Sequence, residues 1–140
     1  MRLYLDLSVV IALLIEDSLT ARAEACIDAG NHVLVVSDFA GAEFASAVAR
    51  RVRMRELTEA EARSAFSAFD NFVFQATESV DTISNDVRRA EAALRRLDLT
   101  LRAPDALNIV IAQRVDAVLL TFDTKMAASA RALGLAVVTG

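Results

Sequence analysis

Cysteine is all but missing from this chain: Cys26 stands alone, which excludes a disulfide framework and fits a reducing compartment. One proline and four glycines in 140 residues argue against a loop-rich all-β fold and for helices joined by short turns. Those few glycines form neither a G-x-G-x-x-G nor a Walker-type run, so ATP-dependent and dinucleotide-dependent enzymes are excluded as leading readings. A single histidine, His32, and a single cysteine are too little for a zinc site; His32 precedes an apolar run and reads as a turn residue. Long hydrophobic runs are missing as well. The longest apolar stretch, from Leu7 to Ile15, is interrupted by Ser8 and bounded by Asp6 and Glu16, far short of the ~20 residues of a membrane span. A cytoplasmic protein without membrane contact is the expectation. Nor is there a basic excess: the net charge is −4 and the pI about 5.0, so any polyanion must be bound locally rather than by the field of the whole molecule.

What is present is apolar surface. Hydrophobic residues make up 55% of the chain and charged ones 24%, enough to offset the entropy of ordering and to exclude disorder. The length fits one domain spanning residues 1–140, and so high an apolar fraction hints at a subunit contact. Cys26 shares a helical face with Ala21, Ala25 and Ala29 and is expected to be a buried, inert thiol. Lys125 is the single lysine among 15 basic residues; the rest are arginines, the side chain suited to bidentate phosphate or carboxylate contacts.

Short apolar runs alternate with amphipathic stretches along the chain. Arg2 to Leu5 reads as a buried strand, followed at once by a helix through Ile15 that Ser8 can cap. Ser18 or Thr20 opens a second helix that stops at Gly30, and Val33 to Val36 makes the next strand. Ser37 or Asp38 caps a long helix from Phe39 to Arg53, and Thr58 with Glu61 forms a capping box for a helix to about Phe72. Ala76 to Val80 is a weak strand, and Ser84 or Asn85 caps a helix to about Leu97. Pro104 suits the first turn of a helix from Asp105 to Arg114. Ala117 to Phe122 is the clearest buried strand, Asp123 caps a last helix ending at Gly134, and Leu135 to Val138 is the final strand. The pattern predicts an α/β fold: a mainly parallel, twisted sheet of four to five strands flanked by helices.

In such a sheet the ligand crevice lies at the carboxyl ends of the strands. Asp6 and Asp123 each follow a predicted strand, and Asp105 opens a helix entering the same edge. Glu43 lies mid-helix on an apolar stripe with Phe39 and Ala47, where a carboxylate needs a partner. Taken singly, the aspartates can be helix caps and Glu43 half of a buried ion pair with an arginine. Taken together, four acids converging on one edge would repel, and a bound cation resolves that repulsion. All-oxygen donors are hard and suit Mg²⁺ or Mn²⁺.

The segments Tyr4-Leu5-Asp6-Leu7-Ser8, Glu43-Phe44-Ala45-Ser46-Ala47, Arg102-Ala103-Pro104-Asp105-Ala106-Leu107 and Leu120-Thr121-Phe122-Asp123 resemble, in order and spacing, the four acidic motifs of PIN-domain ribonucleases. Among these the chain is most similar to VapC-type toxins, over essentially its whole length. The resemblance implies a Mg²⁺ or Mn²⁺ site built by Asp6, Glu43, Asp105 and Asp123, cleavage of RNA phosphodiester bonds, a homodimer and a cognate antitoxin. Ser8 and Thr121 match positions whose hydroxyls support the site in that family. The chain departs from the pattern at Leu7, where a small or hydroxyl residue is more usual, and at Asn108, where histidine is common.

For RNA, the candidates are Arg50, Arg51, Arg88 and Arg102; Arg88 and Arg89 recur seven residues on as Arg95 and Arg96, one side of a helix, although Glu91 can pair with Arg95. Phe66, Phe69, Phe72 and Phe74 form an aromatic run that reads as core or as a groove for a partner helix. Two other readings share the architecture: a receiver-like phosphoacceptor, which lacks its early acidic pair because Leu7 follows Asp6, and a catalytically silent binding module.

Overall fold

The computed structural model describes residues 1–15 and 17–140; Glu16, which bounds the N-terminal apolar run, lies outside the described residues. In chain order the elements are β1 (Arg2–Leu5), α1 (Leu7–Leu14), α2 (Thr20–Asp28), β2 (Val33–Ser37), α3 (Asp38–Arg53), α4 (Glu59–Ala76), β3 (Thr77–Val80), α5 (Ser84–Leu94), α6 (Ala103–Arg114), β4 (Val118–Leu120), α7 (Thr124–Ala132) and β5 (Val137–Val138). The five strands form one sheet in the order β3-β2-β1-β4-β5, and every pairing is parallel. The fold is the single α/β sheet-and-helix architecture expected from the sequence.

Side chains alternate across the sheet, so each strand feeds two cores. Leu3, Leu5, Leu34, Val36 and Leu120 face a core closed by α1, α2, α3 and α4. Tyr4, Val35 and Leu119 face the other, closed by α6 and α7, and α5 packs on α6 through Ala90, Ala106 and Val110. Burial on both faces explains why the strands read as unbroken apolar runs. Within the first core Phe44 stacks on Phe69 at 4.8 Å between ring centroids and meets Phe66 edge-on. Of the aromatic run, Phe66, Phe69 and Phe72 therefore pack inward, and only Phe74 is exposed.

Several local expectations need correction. Asp6, not Ser8, caps α1, accepting from the Val9 N–H. At α2 neither candidate acts as a side-chain cap: Leu19 holds the cap position, and the Thr20 hydroxyl instead accepts from Asp17 N–H and donates to the Ala12 carbonyl. The α2 face also turns differently, with Ala21, Ala25 and Ala29 exposed, Ala23 buried and Cys26 half-buried. Ser37 caps α3, and the Thr58–Glu61 box is present. Neither Ser84 nor Asn85 caps α5. Asp86 does that work by accepting from Ile83 N–H, while also pairing with Arg114 of α6 at 2.8 Å. α4 runs on to Ala76, and β4 is shorter than the run from Ala117 to Phe122. His32 sits in the turn before β2, its Nδ1 buried without a hydrogen-bond partner among the described residues.

Candidate active site

The chain moves outward from the central strand in one direction through β2 and β3, and in the other through β4 and β5. The reversal falls between β1 and β4, where loops diverge and leave a crevice beyond the strand ends. Asp6 is the first residue after β1, and Asp123 lies three residues after the end of β4. Asp105 stands in the first turn of α6, and Glu43 in the second turn of α3. All four line one open cleft of about 530 Å³, with Ser8, Asn108 and Arg102 among its other polar residues and Leu7, Ile11, Leu19, Pro104 and Met126 among its apolar ones. The cleft thus brings together the four acids expected from the sequence.

Asp6 is the most constrained of them. It is buried, yet both its oxygens are satisfied: Ser8 donates to Oδ1 at 2.5 Å and Thr121 donates to Oδ2 at 2.6 Å. The two hydroxyls in turn accept from the β4–α7 connection, Ser8 from Phe122 N–H and Thr121 from Asp123 N–H, each at 3.0 Å. One carboxylate is thereby clamped to the loop that carries another. Asp123 caps α7, its Oδ1 accepting from Lys125 N–H and Met126 N–H at 2.9 and 3.1 Å, so the cap reading and the cleft position coexist.

Among the described residues Glu43 has no arginine partner, so the ion-pair expectation fails. Its Oε1 accepts from the Asn108 amide at 2.6 Å, and the same amide donates to the Pro104 carbonyl at 3.0 Å. Asn108 is itself buried and accepts at Oδ1 from the Tyr4 hydroxyl, which is bonded to Ser37 at 2.7 Å. Sequence reasoning names Ser37 only as a helix cap and Tyr4 only within the first acidic motif, and gives neither a part in holding Asn108. Tyr4 reads there as one more apolar strand residue, and its distance of 104 residues from Asn108 hides the contact.

Electrostatics follow from this placement. Burial raises the Asp6 carboxyl above its ordinary value, even though the hydrogen bonds from Ser8 and Thr121 pull the other way. Burial, with the charges of Asp6 and Asp105, pushes Glu43 up to about 6 against the pull of the Asn108 bond. Asp105 is raised as well, by burial first and by the charge of Asp123. The four groups form one coupled cluster of negative charge, with Arg102 the basic residue among the cleft-lining ones.

As a donor set the cleft fits a hard divalent cation: the four expected carboxylates line it together with Asp17, which sequence reasoning did not place there, and Oε2 of Glu43 and Oδ2 of Asp123 carry no hydrogen bond among the described residues. Their spacing is that of an open cleft. Among the described residues, no three His, Cys, Asp or Glu side chains are gathered closely enough to hold an ion as they stand.

The arginines divide. Arg102 lines the cleft, whereas Arg50, Arg51 and Arg88 do not. Arg89 turns from Arg88 toward α6, bonding Gln113 at 2.8 Å, and Arg95 and Arg96 are paired with Glu91 and Asp98.

Similarity to known proteins agrees with the geometry. VapC20 of Mycobacterium tuberculosis, described as a sarcin-ricin loop cleaving toxin, superposes with a TM-score of 0.75 at 17% identity, covering 99% of this chain and 98% of that one. VapBC2 of Rickettsia felis, bound to a DNA fragment from its promoter, gives 0.72 at 17% identity with 99% and 98% coverage. A toxin-antitoxin complex from Klebsiella pneumoniae gives 0.59 at 20% identity with 91% of each chain covered. No curated protein matches the chain in sequence. The profile of the PIN domain family matches residues 3–132, the span that holds all four acids and, but for Arg2 at the start of β1, the first four strands, and the chain therefore belongs to the PIN domain family.

Proposed function

We propose that this protein is a Mg²⁺- or Mn²⁺-dependent endoribonuclease, the toxin of a toxin-antitoxin pair, that hydrolyses RNA phosphodiester bonds in the four-carboxylate cleft. The observation that carries the reading is Asp6: a buried carboxylate held by two dedicated hydroxyls at the crevice of a parallel sheet, beside three further acids. A helix cap needs neither the burial nor the second hydroxyl.

A divalent cation supplies, when bound, Lewis-acid activation of water and neutralisation of phosphate charge. Asp6 would hold it as primary ligand, Glu43 and Asp105 would complete the set, and Asp123 would contribute a second-site or water-mediated contact. Ser8 and Thr121 keep the Asp6 carboxylate in one orientation, and the Asn108 amide does the same for Glu43. Arg102, at the cleft, offers a planar fork of donors to a phosphate. Leu7, Ile11, Leu19 and Met126 supply apolar wall that lowers the local dielectric.

The relatives in toxin-antitoxin complexes support an antitoxin partner for this chain, and the absence of any helix long and apolar enough to cross a membrane among the described residues fits action on RNA in the cytoplasm. A homodimer belongs to the same reading.

The test uses the partner-free protein, structured RNA and Mn²⁺ or Mg²⁺, with the Asp6→Asn, Asp105→Asn double variant and a chelator as controls. Cleavage by the parent alone, abolished by chelator, is the expected result. Equal cleavage by both proteins overturns it. Metal-induced stabilisation without cleavage favours the silent binding module, and uptake of phosphate from acetyl phosphate favours the receiver-like reading.

A further inference from the structure

We propose that Tyr4 is a positioning residue for the site: a one-way relay of hydrogen bonds from Ser37 through Tyr4 and Asn108 fixes the amide face that meets Glu43. The proposal rests on the reading of Glu43 as a metal ligand, and extends it into the core of the sheet.

The direction of the relay is set by chemistry at both ends. The Pro104 carbonyl and the Glu43 carboxylate can only accept, so the group of Asn108 that faces them, at 3.0 and 2.6 Å, must be the NH₂. Its Oδ1 then faces the Tyr4 hydroxyl at 2.5 Å and must receive the phenol's one proton. The Tyr4 oxygen is left to accept from Ser37, 2.7 Å away, while Ser37 Oγ itself accepts from Ala40 N–H. Every proton has one place to go. Reversing the amide would set two acceptors against its oxygen, which excludes the flipped state, and the Tyr4 proton then holds Oδ1, and with it the plane of the amide, in place.

Tyr4 is completely buried and Asn108 is 2% exposed where it borders the cleft, so no solvent reaches the phenol that meets its Oδ1. A phenol keeps its proton at neutral pH, so Tyr4 is a donor wherever the fold is intact. A buried strand residue with only a packing role is equally well served by phenylalanine. The hydroxyl here has one use, which is to orient Asn108.

Tyr4→Phe keeps the ring and deletes the donor. Mn²⁺ affinity is measured by isothermal titration calorimetry on the wild type, Tyr4→Phe, Asn108→Ala, the double variant and Leu119→Ala, a packing control from the same core. Outer partners of metal ligands typically govern affinity by 10–100-fold, and Tyr4→Phe is expected to weaken Mn²⁺ binding by about tenfold. The double variant should bind no more weakly than Asn108→Ala, because Tyr4 acts only through that amide. Leu119→Ala should lower the melting temperature and leave Mn²⁺ affinity unchanged. Wild-type affinity in Tyr4→Phe, or additive losses in the double variant, overturns the relay. If Asn108→Ala fails to fold, Tyr4→Phe against Leu119→Ala decides alone. A wild type that binds no Mn²⁺ overturns the relay and the proposed function together, whereas one that binds Mn²⁺ and cuts no RNA overturns the function and leaves the relay standing.

Discussion

Glu43 carries a stability cost that the proposed chemistry requires. Its carboxyl titrates at about 6 in the fold against an ordinary 4.5, so the folded state holds the proton more tightly than the unfolded one. The stabilisation this gives is complete below pH 4.5 and is lost as pH rises through 6. At neutral pH the metal-free protein therefore folds against a buried charge worth about 1–2 kcal/mol. Glu43→Gln keeps the acceptor for Asn108 and removes that charge. In chelator at pH 7 the variant should melt about 3–6 °C above the wild type, and the difference should vanish by pH 4.5. Adding Mn²⁺ should reverse the order, raising only the wild type. A variant that melts below the wild type in chelator, checked by calorimetry, would show the charge to be already compensated. The acids themselves were legible in the sequence because Asp6, Asp105 and Asp123 sit at a strand end or helix start and Glu43 interrupts the apolar stripe of a helix. Their holders were legible only in part: Ser8 and Thr121 stand beside the acids they hold within the motifs, whereas Tyr4 meets Ser37 and Asn108 across separations of 33 and 104 residues that a linear reading cannot pair.

At the scale of elements, the sequence reading placed all seven helices and all five strands of the described residues but erred at their ends, for two reasons. Some candidate residues did other work: Ser8 serves the Asp6 carboxylate and Thr20 the Ala12 carbonyl, leaving caps to neighbours. Elsewhere tertiary bonds ended a strand early. Ala117 N–H closes α6 on the Ala112 carbonyl, and Phe122 N–H reaches Ser8, so β4 keeps only Val118–Leu120 of its apolar run. The join between α5 and α6 shows what a single side chain can hold. Asp86, fully buried, caps α5 through Ile83 N–H and takes both an Nε and an Nη donor from Arg114. Burial pushes its pKa up, but the Arg114 bonds and the Ile83 N–H more than offset this, leaving it below its ordinary value. The stability it gives is thus present above pH 3.8 and lost as pH falls below that, opposite in sign to Glu43. Arg114 is partly exposed, so Asp86→Asn should cost somewhat less than the 3–5 kcal/mol of a wholly buried pair, about 2–3 kcal/mol by urea unfolding. The loss should be the same with or without Mn²⁺, since neither residue lines the cleft.

For the whole molecule the question is how a chain of net charge −4 would hold the polyanion that the proposed function requires. Composition excludes general electrostatic attraction, and the fold restricts the alternatives. Of the four arginines considered for RNA, only Arg102 lines the cleft, beside the first turn of α6 and within reach of the Asp105 charge. Arg50 and Arg51 end α3, and Arg88 lies on α5. RNA binding should therefore depend on bound divalent cation and on one arginine rather than on a basic surface. Arg102→Gln, assayed with the four acids intact and Ca²⁺ in place of Mg²⁺ or Mn²⁺ so that the divalent charge is present without turnover, should weaken RNA binding and reduce the slope of log K against log salt by about 0.7–0.9, one phosphate contact. Arg50→Gln and Arg88→Gln should leave the slope unchanged. Equal reductions from all three would mean that RNA lies across the helical surface and that the cleft contributes no phosphate contact of its own.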